Sequence, residues 1–379
     1  MGYIISEEGK DLLRDVQKFC EREVKGKLGA YDESSELPEE AVEKAVEMGL
    51  SMLDVPAEYD GPGIARMDHA AILEEMGKAD AGFATTFMAN GLAMDPVMIA
   101  GNEEQLRRMY ELVLDGKFGC FCLTEPNAGC DVSGAQTTAV KKGDQYVING
   151  TKTFITNAPI ADFFTVFAKT DKEAGNKGFT AFFIEKGTPG LSIGKHENKM
   201  GIRASLTSEV ILEDVTVPAS SIVGKEGEGF KIAMQTLDIA RVWCGVTAVG
   251  ICQRAIDEAV DYVKTRVQFG KPLAKNEVIQ FKIADMEMRT EAARQLCAYT
   301  LQLIDRGEDF SKAAAEAKCM AGDAAVYCAT EAIQLLGGNG YMRDYPVEKL
   351  LRDAKIFQIF EGTNEIQRLV IGRNTIGKI

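Results

Sequence analysis

Apolar residues recur three and four positions apart from residue 4 to about residue 118, as in Leu12, Leu13, Val16 and Phe19 and again in Ala41, Val42, Ala45 and Met48. That spacing lays a stripe along one face of an α-helix. The first third of the chain is therefore predicted helical, with a break at Pro56-Ala-Glu-Tyr-Asp-Gly-Pro-Gly63, whose Pro and Gly cannot continue a helix. Near residue 120 the period changes. Residues 145–156 carry β-favouring side chains on both sides of Asn149-Gly150, a strong hairpin signal, and 163–168, 179–184 and 209–212 read as further strands. After Gly224-Lys-Glu-Gly-Glu-Gly229 the 3.6-residue period returns in 230–263, 278–305 and 310–336, runs rich in Ala, Met, Leu and Glu. The order helices, strands, helices predicts an α+β chain with an N-terminal helical domain (1–118), a middle β domain (119–225) and a C-terminal helical bundle (226–379). It excludes the alternating strand and helix order of a Rossmann sheet.

Composition adds limits to this outline. At 379 residues, 46% hydrophobic and 26% charged, the chain is an ordinary globular one, large enough to enclose a sizeable pocket. No stretch approaches the roughly 18 uninterrupted apolar residues of a membrane span, and the first residues lack the basic region of a signal peptide; a cytoplasmic location is expected. Nine cysteines, most of them single in apolar runs (Cys20, Cys244, Cys252, Cys297, Cys319, Cys328), suggest free buried thiols in a reducing compartment. The net charge of −14 argues against nucleic acid or an anionic membrane as partner.

The residue inventory narrows the chemistry. Only two histidines occur, His69 and His196, and neither has a second His or Cys at ligand spacing, so no metal site and no Ser-His-Asp arrangement is indicated. Cys120 and Cys122 are too close for a Cys-x-x-Cys motif. The glycines of 224–229 and 337–340 lack the strand and helix context of a dinucleotide-binding turn, and the first group also suits an interdomain joint. Residues 121–130, Phe-Cys-Leu-Thr-Glu-Pro-Asn-Ala-Gly-Cys, offer backbone donors and the Thr124 hydroxyl for a polar ring edge or a pyrophosphate, and equally suit a plain loop. Arg266-Val-Gln-Phe-Gly270 ends a helix with a cation, which a helix C-terminus favours in any case. Glu361 follows Ile356, Phe357, Ile359 and Phe360, where loss of water would raise a carboxyl pKa towards neutrality; a helix-start carboxylate is the plainer reading.

Taken together, Leu123-Thr-Glu-Pro-Asn-Ala-Gly129, Phe154-Ile-Thr-Asn157, Arg266-Val-Gln-Phe-Gly270, Gln334-Leu-Leu-Gly-Gly-Asn-Gly-Tyr341 and Glu361-Gly-Thr-Asn-Glu-Ile-Gln-Arg368 occur in the order and spacing of one family. Over essentially its whole length the chain resembles the acyl-CoA dehydrogenases, most closely their short-chain or butyryl-CoA branch. The resemblance implies FAD as cofactor, an N-terminal helical domain, a middle β-barrel, a C-terminal four-helix bundle, a homotetramer, and an electron-transferring flavoprotein as partner. It implies that Phe121, Leu123, Thr124, Gly129, Cys130, Phe154 and Thr156 hold the flavin ring and pyrophosphate. Arg266, Phe269, Gln280, Gln334, Leu335, Gly337, Gly338, Thr363 and Glu365 match other FAD contacts, the first several reaching in from a neighbouring subunit. Glu361 then takes the α-proton of an acyl-CoA thioester while the β-hydrogen leaves as hydride to flavin N5, with the Glu361 N–H and a ribityl hydroxyl on the thioester oxygen. Asp238 and Arg241 match positions touching CoA, and Gly362 lies against the substrate. The same residues would serve an enoyl-CoA reductase running in reverse; a flavin- or CoA-binding scaffold without catalysis and an oxygen-using oxidase are further readings.

Four positions depart from the family pattern. Ala240 stands where some relatives place the base, leaving Glu361 alone in that role. Cys130 replaces the usual Ser or Thr, and a thiol is a weaker donor. Trp243, the only tryptophan, replaces a small or aliphatic residue and reads as pocket lining or as core. Asp95 falls where an aromatic or neutral residue lines the acyl pocket; it reads either as a solvated helix-end aspartate or, with Trp243, as part of a compact pocket for a cyclic acyl group such as cyclohexanecarboxyl-CoA, with a share in proton transfer.

Overall fold

A computed structural model describes residues 2–377. Six helices open the chain: α1 (Glu7–Phe19), α2 (Gly29–Ser34), α3 (Glu39–Glu47), α4 (Arg66–Ala79), α5 (Ala81–Ala100) and α6 (Glu103–Leu114). Their boundaries follow local chemistry. Ser6 and Asp80 accept from the third residue beyond them, Gly9 and Phe83, at 2.9 Å, and Asn102 with Gln105 forms a reciprocal capping box on α6. α5 differs in being buried on nearly every side, which explains an apolar run without a polar face.

The middle of the chain forms a mixed sheet of eight strands: β1 (Phe118–Cys122), β2 (Thr138–Lys142), β3 (Gln145–Thr156), β4 (Ala161–Lys169), β5 (Phe179–Glu185), β6 (Leu191–His196), β7 (Thr207–Pro218) and β8 (Ile222–Val223). The order is β6-β7-β3-β2-β4-β5-β8, with β1 parallel to β4. The hairpin expected at Asn149-Gly150 is not there. β3 runs straight through those residues, and the turn lies at Gly143-Asp144, where Lys142 pairs with Gln145 and Gly143 takes φ 65°. Asn149-Gly150 instead makes an irregularity against β7: Asn149 Oδ1 accepts from the Asp214 N–H (2.8 Å) and its Nδ2 donates to the Asp214 carboxylate (3.1 Å). A dipeptide suited to positive φ serves a bulge as well as a turn.

Helices return with α7 (Gly229–Thr265), a two-stranded ribbon of β9 (Val267–Gln268) and β10 (Lys271–Pro272), then α8 (Glu277–Asp305), α9 (Ser311–Leu336), α10 (Val347–Ile356) and α11 (Asn364–Ile376). Gly224–Gly229 is no free joint: the Gly227 N–H donates to Thr180 Oγ1 at 3.0 Å, and a Cβ on Gly229 would lie 2.7 Å from the Thr180 backbone. α7 crosses the whole helical assembly and is buried through its middle, which accounts for its hydrophobicity. One apolar core unites the first and last helical segments, joining Val16, Phe19 and Phe83 to Val246, Cys297 and Phe357, while the sheet keeps a core of its own around Ile148, Phe164 and Val210.

Candidate active site

Glu361 sits in the turn between α10 and α11. The chain leaves α10 through Phe357, which is fully buried and meets Phe360 edge to face at 4.9 Å, and then passes through φ 54° at Glu361 and φ 88° at Gly362. A non-glycine residue in the left-handed region costs energy and persists only where its surroundings enforce it. Two side chains do so. Lys318 Nζ on α9 donates to Gly362 O at 2.7 Å, and Gln367 Nε2 on α11 donates to Glu361 O (3.1 Å) and Gly362 O (2.9 Å). Glu361 is half-buried, and its carboxyl Oε2 is out of contact with solvent and has no hydrogen-bond partner among the described residues. Burial pushes its pKa up to about 7, against the pull of the Lys318 and Arg241 cations. Such a carboxylate can accept a proton near neutral pH.

Among the described residues, two further polar atoms without hydrogen-bond partners lie in the same neighbourhood. Arg241 on α7 is buried, pairs with Asp238 one turn earlier, and leaves Nε without a partner; burial raises the Asp238 carboxyl. Asp95 is not the solvated helix-end residue that its place before a proline suggested. α5 continues through Pro96, Asp95 is buried, and Oδ2 has no partner. Burial first, then the Asp54 carboxylate, push the Asp95 pKa well up, Glu361 adds to this, and Arg66 opposes it. Asp54 Oδ1 lies 3.1 Å from His69 Nδ1, and the His69 ring stacks on Trp243 with centroids 4.4 Å apart. Trp243 is 7% exposed and belongs to the helical core, so it reaches the surroundings of Asp95 through His69 and Asp54.

A second wall comes from the sheet. Phe121 packs on Phe167 (5.0 Å), Leu123 is buried, and the Thr153 N–H donates to Thr124 O (2.9 Å), setting the 124–130 loop beside β3. Thr124 and Thr156 are half-buried. Phe154 takes φ 57° with its ring 65% exposed. Gly129 faces open space, and Cys130 Sγ lies 4.0 Å from Thr363 Oγ1, the cap of α11, with Glu365 exposed just beyond. The segments 121–130, 154–156 and 361–365 thus meet within one chain.

The remaining predicted residues form a separate group at another end of the helical part. Arg266 is exposed, Phe269 is wholly exposed at φ 50°, and Gln280 Nε2 bonds only within its own segment, to Ala274 O (2.9 Å). Gln334, Gly337 and Gly338 are exposed, and a Cβ on either glycine would meet nothing; Leu335 instead points into the core. Asn339 Nδ2 on Tyr262 OH (2.9 Å) ties this corner to the end of α7.

Sequence reasoning passed over three residues. Lys152 is fully buried and donates to Glu125 (2.7 Å) and Leu123 O (3.1 Å); Glu125 also accepts from the Gln136 N–H (2.5 Å), and this pair fixes the 124–130 loop. Lys318 is also fully buried. Its signal was present: it shares the apolar stripe of Ala314, Ala321 and Ala325, where an unpaired lysine is out of place.

Family models describe the same three parts: the acyl-CoA dehydrogenase N-terminal domain matches residues 6–117, the middle domain 120–215 and the C-terminal domain 227–376. The chain belongs to the acyl-CoA dehydrogenase family. It is 44% identical to cyclohex-1-ene-1-carbonyl-CoA dehydrogenase of Geobacter metallireducens, covering 97% of this chain and 98% of that one. The butyryl-CoA dehydrogenase structure of Megasphaera elsdenii superposes with a TM-score of 0.96 at 43% identity, and a chain solved in work on the electron transferring flavoprotein of Acidaminococcus fermentans does so with 0.96 at 42%; both cover 100% of each chain. As a member of this family it is an FAD-dependent oxidoreductase. The residues fit a flavin: the exposed Phe154 ring, the open Gly129 backbone and the half-buried Thr124 and Thr156 hydroxyls line the sheet wall beside the Glu361 carboxyl.

Proposed function

We propose that the chain dehydrogenates a short or cyclic acyl-CoA thioester between its α and β carbons, with Glu361 as the base. The observation that carries this is the Glu361 carboxyl itself, whose Oε2 is buried without a partner among the described residues, a setting in which burial holds the pKa up, at about 7. Phe121, Leu123, Thr124, Gly129, Cys130, Phe154, Thr156, Thr363 and Glu365 would hold FAD, which would supply the acceptor for the β-hydrogen. Arg241, with Asp238 steering it, takes up the CoA portion through its free Nε. The Glu361 N–H makes no hydrogen bond among the described residues, which leaves it free for the thioester oxygen, where charge develops as the α-proton leaves. Apolar walls keep water from that oxygen and from the carboxylate. Glu361→Gln should retain FAD and lose turnover; near-normal activity in that variant rules the assignment out.

For the acyl group we favour an alicyclic ring of the cyclohexanecarboxyl-CoA class, with Asp95 facing it and sharing in proton transfer. A second partnerless carboxyl in the Glu361 neighbourhood supports this, as does the likeness to the Geobacter metallireducens relative. An electron-transferring flavoprotein fits as oxidant, and a homotetramer fits the exposed second group of FAD residues, which then complete a neighbour's site. Anaerobic titration of the yellow protein with butyryl-CoA, cyclohexanecarboxyl-CoA and cyclohex-1-enecarboxyl-CoA, followed by flavin bleaching, tests reaction and substrate together. A strong preference for butyryl-CoA eliminates the ring. Reoxidation of the bleached protein by enoyl-CoA alone, with no turnover towards a flavoprotein acceptor, identifies the reductive direction instead.

A further inference from the structure

Lys318 has no place in the reaction as set out above, yet it is the fully buried cation in contact with the turn that carries the base. Its ammonium donates to Gly362 O (2.7 Å) and to Asn364 Oδ1 (3.0 Å), and Asn364 is itself locked by Nδ2 on Cys319 O (3.2 Å) and on the Asp323 carboxylate (2.8 Å). Neither acceptor of Lys318 carries a charge. A buried ammonium without a counter-ion is expensive. The ionisable groups around it are Glu361 in the turn, Cys244 and Arg241 on α7, and Cys319 beside it on α9. Burial pushes both flanking thiols up, so they stay neutral, and Arg241 is a second cation. Glu361 is therefore the anion this lysine has.

We propose that Lys318 is a positioning residue for the base: it grips the carbonyl of Gly362, holds the turn in its left-handed form, and provides the cation against which the Glu361 carboxylate stands.

Three facts about the chain make this arrangement coherent. Lys318 and Gln367 engage both carbonyls of the turn, which restrains the peptide planes either side of Gly362 and with them the left-handed backbone at Glu361. Gly322, one turn along α9 from Lys318, has no room for a side chain, since a Cβ there would lie 2.4 Å from Phe357 O; α9 and the end of α10 are held at close range, and Lys318 reaches the turn from a fixed base. The groups facing Glu361 from the other packed elements are Arg241 and Cys244 on α7 and Asp95 on α5. Arg241 also pulls on Glu361 but is paired with Asp238, and Asp95 raises the cost of a second negative charge, so Lys318, the larger of the two pulls, is the cation without another anion to pair with.

The inference rests on Glu361 being the base, and the tests keep the two apart. Lys318→Met and Lys318→Gln, both FAD-loaded, are compared with the parent by the pH dependence of anaerobic flavin reduction and by the ¹³C signal of the Glu361 carboxyl in the substrate-free protein. In both variants the ionisation of Glu361 moves to higher pH, and the reduction rate at pH 8 falls by about tenfold to a hundredfold, the cost of a base misplaced by a fraction of an ångström to an ångström. Gln, which keeps a donor for Gly362 O but no charge, recovers part of the rate and none of the pH displacement. An unmoved carboxyl ionisation in either variant overturns the proposal. If neither variant folds, the ¹⁵N signal of the Lys318 Nζ in the parent decides: it must remain an ammonium where Glu361 ionises, and a neutral amine there overturns the proposal. Retained activity in Glu361→Gln would instead remove the base assignment, whatever Lys318 does.

Discussion

Three non-glycine residues of the predicted site share an unusual backbone. Phe154, Phe269 and Glu361 all lie at φ between 50° and 57°, the kind of strain that accumulates where geometry is set by function. At Glu361 the strain joins an electrostatic cost. Its carboxyl is raised from 4.5 to about 7 by burial, so between those values the folded protein holds a proton that the unfolded chain has lost. Stability from this group is complete below about pH 4.5 and disappears as pH rises through 7. The displacement corresponds to roughly 2–3 kcal/mol after allowance for partial contact with solvent. FAD-loaded Glu361→Gln should therefore melt higher than the parent at pH 8 and nearer to it at pH 5; a gap that does not change with pH removes the basis for this account. Activity runs the other way, since the base must be ionised, and the rate of flavin reduction should climb from pH 6 to pH 8. Asp95 calls for a separate comparison. If Asp95 faces an alicyclic acyl group as proposed, replacing it with Ala should lower kcat/KM for cyclohexanecarboxyl-CoA by about tenfold or more and that for butyryl-CoA by less than about threefold, since a short straight chain would not reach it; equal losses on both substrates speak for a structural role alone.

At the level of elements, the informative contrast is between what periodicity reveals and what it leaves out. The long helices and the strands at 161–169 and 179–185 follow from apolar spacing and β-branched or aromatic content. The hairpin at Asn149-Gly150 was misplaced because dipeptide chemistry is local, and whether such a pair turns the chain or bulges it is decided by the strand opposite, here Asp214 on β7. The loop 124–130 depends on a comparable long-range partner. Lys152, on β3, is buried with Glu125; its own burial lowers its pKa, while burial of Glu125 is outweighed by the Lys152 charge and the Thr137 and Gln136 donors, which hold that carboxyl low. Removing one member of such a pair strands the other, at a cost of about 3–5 kcal/mol. Lys152→Met should lower the melting temperature and release FAD, as seen in the flavin absorbance of the protein after gel filtration. Restoring apolar balance with Glu125→Leu in the same chain should recover melting but not FAD, since the loop loses its anchor to Gln136 and Thr137 as well. Full recovery of both would mean that the pair serves packing only.

On the scale of the whole molecule, the order helices, strands, helices was legible because each part keeps its own period, whereas the sharing of one core by the first and last helical parts was not, since it depends on α4 and α5 packing against α7 across more than a hundred residues. The five motifs that resemble the family identify candidate flavin residues without saying which of them stand together. In the folded chain they separate: 121–130, 154–156 and 361–365 meet, while Arg266, Phe269, Gln280 and Gln334–Gly338 lie on an outer corner with Phe269 wholly exposed. An exposed aromatic in a strained conformation, beside a cation and an open Gly-Gly backbone, is poorly explained as solvent-facing surface. It is well explained if that corner completes the flavin site of another copy. Complementation distinguishes the two arrangements without a structure of the assembly. One variant loses FAD through Thr124→Val and Thr156→Val, another through Arg266→Glu and Phe269→Ser. If each site is built within one chain, mixed assemblies still hold one defect in every site and bind no FAD. If each site takes its threonines from one subunit and its Arg266 corner from the next, mixing places both defects in some sites and none in others, and unfolding and refolding the two variants together should restore a fraction of the flavin and of the bleaching by acyl-CoA. No restoration, from variants shown by sedimentation to assemble together, would leave the corner without a role in FAD binding.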